Sequence, residues 1–213
     1  MTESKTVFLL QENILRKLPE EVRFKVAIAG GAVRDTLLGV EVKDYDLFVE
    51  DLATETALMA FLEEKGKIIN VNSQLANYTY EDKWIQVIRG KYWKVDSAAI
   101  ISDFDFVHCC AMVTLDPNEP FKCHSDFYKC LATKSIQVNV IKYPLSSLER
   151  LQKYIQKGYT ACNGTFLTLA KAINDMDKSI FETIINDPLA SVNLQQNELM
   201  FYADGSPRFM GID

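Results

Sequence analysis

The sequence predicts an α+β fold. Three features carry the prediction: short β-like apolar runs alternate with helix-period stripes up to Gly66, β-like runs alone fill residues 67–95, and helical stripes return beyond Pro144. At 213 residues, and with about 150 residues per domain, the chain should hold one main domain and an appendage. Residues 1–144 are expected to form the head, and residues 145–213 a helical C-terminal appendage ending in a tail. Apolar residues at 48% and charged residues at 24% suit a packed core rather than wholesale disorder.

The elements follow in order. Val7, Leu10, Ile14 and Leu18 are spaced by three, four and four, which predicts a first helix ending near Pro19. Lys25 to Ala29 reads as a short buried strand stopped by Gly30-Gly31, Ala32 to Leu38 as a helix, and Gly39 as its C-terminal stop. Tyr45 to Val49 is a second strand. Leu58, Phe61 and Leu62 mark a helix from Leu52 to Lys65, closed by Gly66. Ile68 to Val71, Tyr78 to Tyr80 and Trp84 to Ile88 predict an antiparallel or mixed sheet, and Phe106 to Leu115 a further strand ended by the turn chemistry of Asp116 to Pro120. Three helical stripes follow: Leu148, Leu151 and Ile155; then Phe166, Leu169, Ala170 and Ile173; then Ile180, Phe181 and Ile184. Tyr202 to Asp213 reads as the tail.

Charge and cysteine usage narrow the functional classes. With 23 basic and 29 acidic residues the net charge is −6, so a nucleic-acid partner would need a local basic patch rather than the overall field. The apolar run from Val7 to Leu10 is too short for a secretory signal, and no stretch approaches the roughly 18 apolar residues of a membrane helix. Five cysteines with no C-x-x-C pair suit reduced thiols. A cytoplasmic protein with no membrane partner is expected. His108 with Cys109 and Cys110, and His124 with Cys123 and Cys130, lack the spacing that would close a zinc site, and read as buried thiols beside ordinary histidines.

The chemistry concentrates between Gly30 and Leu47. Gly30-Gly31 between a strand and a helix lets the backbone approach a ligand while the first helical N–H groups point outward as anion donors. A plain tight turn is the alternative. Asp44 and Asp46 flank Tyr45 at a strand start, so both carboxylates share one face. At roughly 6 Å and an effective dielectric of about 20 they repel by roughly 3 kcal/mol, which a divalent cation such as Mg²⁺ would relieve. A solvated strand end is the alternative here.

Gly30-Gly31-Ala32-Val33-Arg34-Asp35, Leu37-Leu38-Gly39 and Asp44-Tyr45-Asp46-Leu47, in this order and spacing, resemble the G-G-x-V-R-D, L-L-G and D-x-D-L signature of the nucleotidyltransferase head domain in CCA-adding enzymes and bacterial poly(A) polymerases, a branch of the DNA polymerase β superfamily. Asp105-Phe106 and the Pro144 to Leu148 segment are similar to later family motifs more faintly. The resemblance implies a polymerase β-like fold and a two-metal transfer of a nucleotide from an NTP to an acceptor hydroxyl, with an RNA 3′ end the expected acceptor. It assigns Asp44 and Asp46 to Mg²⁺ (or Mn²⁺), Gly30 and Gly31 to the β- and γ-phosphates, and Arg34 to the triphosphate; an ion pair with Asp35 is the other role open to Arg34.

The departures from the family pattern matter equally. The base-reading positions are replaced by Asp103-Phe104 and by Lys142 to Ser146, so template-free CCA synthesis is not expected. A third acidic residue often completes the metal site; the strand from Trp84 to Arg89 offers the neutral Gln86, leaving Asp105 as the best substitute, with Glu81 and Asp96 behind it. Arg89-Gly90-Lys91-Tyr92-Trp93-Lys94 gathers three cations and two aromatics, a candidate patch for tracking a nucleic-acid strand. A β-turn with half-buried aromatics is the competing reading. A catalytically weak or inactive nucleotide-binding or RNA-binding module that regulates a partner is the alternative function.

Overall fold

Why the glycine turn and the paired aspartates meet is a question of strand order. The computed structural model describes residues 1–93, 97–176, 191–193 and 198–200. They divide into two compact units, Met1–Phe104 with His108–Phe127, and Asp105–Val107 with the chain from Tyr128 onward. The division falls ahead of the expected boundary at residue 144. Asp105 bonds to Ser147 and Arg150, and Ser135–Ile136 pairs with Thr160–Ala161, so these segments belong together.

In the first unit the described strands form one seven-stranded sheet in the order β3-β4-β5-β2-β1-β6-β7. They are β1 (Val26–Ala29), β2 (Asp44–Val49), β3 (Lys67–Val71), β4 (Leu75–Tyr80), β5 (Lys83–Tyr92), β6 (Ala111–Val113) and β7 (Phe121–Cys123). Every pairing is antiparallel except β2 with β5. β1 lies between β2 and β6 and all four of its residues are buried, which is why it reads as an unbroken apolar run. The helices are α1 (Glu3–Asn13), α2 (Glu20–Arg23), α3 (Gly31–Leu38), α4 (Leu52–Lys65) and α5 (Ala98–Ser102). Thr2 caps α1 by accepting from Lys5 N, Asp51 caps α4 by accepting from Thr54 N at 2.8 Å, and Gly39 closes α3 in the left-handed conformation, φ 70°.

Two readings of the sequence are corrected in this unit. The first helix stops at Asn13, where Ile14 leaves helical geometry at φ −131°, and Leu15–Lys17 continue as a 3₁₀ turn. Leu10, Ile14 and Leu18 are all buried nonetheless, so the stripe was sound while the helix was shorter. The run Phe106 to Leu115 is not one strand. Val107–Cys109 form a 3₁₀ turn, and only Ala111–Val113 enter the sheet. Every residue of the run is buried, which removes the alternation that separates strand from turn.

α6 (Phe127–Thr133) starts at the boundary. The second unit contains β8 (Ser135–Ile136), α7 (Pro144–Gln156), β9 (Thr160–Ala161), α8 (Asn163–Asn174), β10 (Ser191–Asn193) and β11 (Glu198–Met200). α7 buries Ser147, Leu151 and Tyr154, leaving Leu148 and Ile155 exposed. α8 buries Thr165 and Leu169, while Phe166, the first residue of the expected stripe, is 46% exposed. The helical spacing was right and the buried face was rotated. The stripe Ile180, Phe181 and Ile184 and the tail from Tyr202 lie outside the described residues. Among the described residues no helix is long and apolar enough to cross a membrane.

The packing of α4 on the sheet carries a pH prediction. Tyr78 on β4 is fully buried and its hydroxyl donates to Glu63 Oε1 of α4 at 3.4 Å. Burial first, and the Glu63 charge second, push its pKa from 10.0 up to about 12. The folded chain holds the neutral phenol, so this contribution to stability is complete below the ordinary tyrosine pKa and drains away as pH rises towards the folded value. Tyr45, Tyr80 and Tyr92 are shifted in the same direction. Tyr78→Phe is therefore expected to reduce, without abolishing, the fall in urea midpoint between about pH 9 and about pH 11.

Candidate nucleotide and metal site

β1 ends at Ala29, whose partner on β2 is Asp46. The strands are antiparallel, so the chain beyond Ala29 runs towards the Asp44 end of β2. Gly30 comes next, at φ 76° and ψ −132°, a backbone region open essentially to glycine alone. Its N–H donates to Ala111 O on β6 at 3.0 Å, and this bend delivers the chain into α3, which starts at Gly31. The first N–H groups of α3 lack partners within the helix and carry its positive dipole end. A phosphate at this turn would meet both. Gly30→Ala is expected to cost about 1–3 kcal/mol through backbone strain, read as a lower midpoint in chemical denaturation.

Asp44 is half-buried and Asp46 is 3% exposed. As alternate residues of β2 they share a face of the sheet. Across the parallel pairing Asp44 lies in register with Trp84, and Asp46 with Gln86. With its amide oriented to suit its neighbours, Gln86 donates to Asp46 Oδ1 at 3.0 Å and accepts from Trp84 Nε1 at 3.3 Å. A neutral amide therefore steadies the more buried acid.

Two expected participants have other roles. Arg34 is 1% exposed, donates from Nε and Nη2 to the two oxygens of Asp35 at 2.7 and 2.9 Å, and from Nη1 to Cys109 Sγ at 3.2 Å. In this structure its guanidinium makes the ion pair with Asp35 that the sequence left open as its other role. Asp105 belongs to the second unit, where its Oδ2 accepts from Ser147 Oγ and Arg150 Nε, both at 2.7 Å. It serves that unit as a buried ion-pair partner. Of the other substitutes for a third acid, Glu81 sits in the β4–β5 turn at φ 48° and pairs with Lys17, and Asp96 lies outside the described residues.

Residues 4–134 match the model of the family described as Gabija anti-defense 2 family protein. The chain belongs to the Gabija anti-defense 2 family. A curated relative, "Gabija anti-defense 2" of Bacillus phage SPbetaL7, is 26% identical over 167 residues, covering 76% of this chain and 40% of the relative. The chain thus spans less than half of that relative's length. Solved structures similar to it include the Thermotoga maritima CCA-adding enzyme complexed with tRNA, with TM-score 0.60 and 21% identity over 81% of this chain and 45% of that one. A CCA-adding enzyme in complex with CTP is similar with TM-score 0.62 and 21% identity, over 91% and 49%. This member of the Gabija anti-defense 2 family therefore has the nucleotidyltransferase-like fold of CCA-adding heads. The resemblance read from residues 26–49 holds at the level of the fold, and the family is a different one.

The basic stretch of this family member is dismantled by one buried acid. Glu55 of α4 is 3% exposed and accepts from Arg89 Nε at 2.9 Å, Gly90 N at 3.1 Å and Tyr92 Oη at 2.9 Å. Arg89 also donates to Asn72 O. Arg89 and Tyr92 are thus structural, Lys91 and Trp93 are half-buried, and Lys94 lies outside the described residues. The sequence held a sign of this: Glu55 falls on the stripe of Leu58 and Leu62, a charge on the buried face of its helix.

Among the described residues no group of three or more His, Cys, Asp or Glu side chains could hold a metal ion. The donor set on the glycine-turn side is the carboxylate pair Asp44 and Asp46. Mg²⁺ is commonly held by one or two carboxylates together with substrate phosphates, so two hard oxygen donors beside a phosphate-suited turn fit Mg²⁺ or Mn²⁺.

Proposed function

We propose that the protein is a metal-dependent nucleotidyltransferase that moves a nucleotide from an NTP to the 3′ hydroxyl of an RNA. The observation that carries this reading is the register of Ala29 with Asp46, which brings the glycine bend and the acid pair to one end of β1 and β2. Gly30 makes the bend, and the backbone N–H groups at the start of α3, from Gly31 onward, hold the triphosphate tail. Asp44 and Asp46 would hold Mg²⁺ or Mn²⁺, which when bound offsets triphosphate charge and makes the acceptor hydroxyl more acidic. The hydroxyl oxygen attacks the α-phosphorus, the bond to the departing pyrophosphate breaks, and the hydroxyl proton passes to a carboxylate of the pair. Gln86 orients Asp46 for this role. The anti-defence role in the family's name and the tRNA of a structural neighbour support an RNA acceptor whose modification counters a host defence.

A second reading is favoured by Gln86, a neutral side chain in register with Asp46. On that reading the protein binds nucleotide or RNA and regulates a partner without transfer. Incubation of the pure protein with each labelled NTP, Mg²⁺ or Mn²⁺, and total RNA separates the two. Label incorporated into RNA supports the transferase; nucleotide bound without incorporation under any of these conditions supports the binding module.

A further inference from the structure

We propose that Trp84 is the stacking platform for the terminal base of a single-stranded RNA acceptor. The inference rests on the transferase reading for what lies beside it, and on the sheet for its own geometry. One face of β3, β4 and β5 is covered by α4: Tyr78 reaches Glu63, Tyr80 stacks edge-on against Phe61, and Ile85 and Val87 are buried. The alternate residues therefore point to the opposite face, the face of the acid pair. On it the register aligns Asp44 with Trp84, Thr79 and Lys67 in one row across four strands. The next row aligns Asp46 with Gln86, Asn77 and Asn70.

Trp84 is 38% exposed, and its indole N–H is committed to Gln86. The ring is thus fixed in orientation with its π surface available, one strand spacing, about 4.8 Å, from the backbone of Asp44. The company it keeps selects the ligand. Across β2, β5, β4 and β3 Trp84 is the one aromatic or aliphatic side chain in the two rows, too little for a docked protein surface. Amide and hydroxyl groups of Thr79, Asn77 and Asn70 line the rows instead, and such groups pair with base edges. Charge sets the polarity. The 3′ end is the part of an RNA strand that ends in hydroxyls rather than phosphate, so it is the part that tolerates Asp44 and Asp46, while Lys67 at the far end of the row meets the phosphates leading away.

The test uses the full chain in a Trp93→Phe background, where Trp84 is the remaining indole of the two tryptophans. Hexa-adenylate with a free 3′ hydroxyl is titrated in Mg²⁺, and Trp84 fluorescence is followed. Quenching of Trp84 is expected; for the variants, which lack an indole, binding is read from the anisotropy of the same oligomer carrying a 5′ fluorescein, with affinity reduced about 10- to 100-fold by Trp84→Leu and largely kept by Trp84→Phe, and weaker binding of the oligomer carrying a 3′ phosphate. Binding that is unchanged in Trp84→Leu, or that leaves the indole unquenched, overturns the proposal. A parallel titration with ATP and Mn²⁺ reports on Asp44 and Asp46: intact ATP binding with RNA that ignores Trp84 removes the platform alone, whereas loss of ATP binding itself removes the transferase reading.

Discussion

Asp46→Asn is expected to leave the protein folded and to reduce nucleotide transfer by about 10²–10³-fold or more, the scale on which removal of a single group that stabilises transition-state charge acts. Asp44→Asn should do the same. The substitution is nearly isosteric, and an asparagine Oδ1 still accepts the Gln86 amide that meets Asp46 at 3.0 Å. Removing one charge also relieves a repulsion of about 2–3 kcal/mol between carboxylates two residues apart on a strand. Thermal melting should therefore hold or rise while label incorporation into RNA disappears. Transfer that survives both substitutions would mean that the chemistry lies elsewhere.

Asp105→Ala is expected to do the reverse. Asp105 is 9% exposed and its Oδ2 is met by Ser147 Oγ and by Arg150, whose side chain is 11% exposed. Truncation strands a buried guanidinium and a buried hydroxyl, and breaking such a pair costs about 3–5 kcal/mol. Asp105→Asn, which can still accept from Ser147, should cost less. Urea denaturation reads the loss, and transfer per folded molecule should stay near wild type. A stable Asp105→Ala protein without activity would return Asp105 to the metal site as its third acid.

The contrast between these residues marks what a linear reading reaches. The diglycine bend and the two aspartates were legible because each is a local pattern: a strand that stops, a helix that starts, and two acids with one residue between them. Helix spacing in α3 and α4 was legible for the same reason. The pairing of Asp105 with Ser147 and Arg150 was not, because these partners lie 42 and 45 residues along the chain. The face that α8 buries was missed too, since spacing fixes a stripe but not the surface it meets. Arg89 and Tyr92 were open to two readings, a strand-tracking patch or a turn with half-buried aromatics, and their contacts with Glu55 of α4 come only from the tertiary structure.

Sequence alone determined the chemical inventory here: which segments fold as strands or helices, where the backbone can bend sharply, and that two carboxylates share a face. Tertiary structure decided the neighbours of that inventory. The parallel pairing of β2 with β5 put Trp84 and Gln86 beside the acids, and the packing around α3 buried Arg34 against Asp35 and Cys109. The physical reason is range: backbone preference and side-chain period act within a few residues, whereas register and burial are set by contacts between distant segments that form only when the sheet closes.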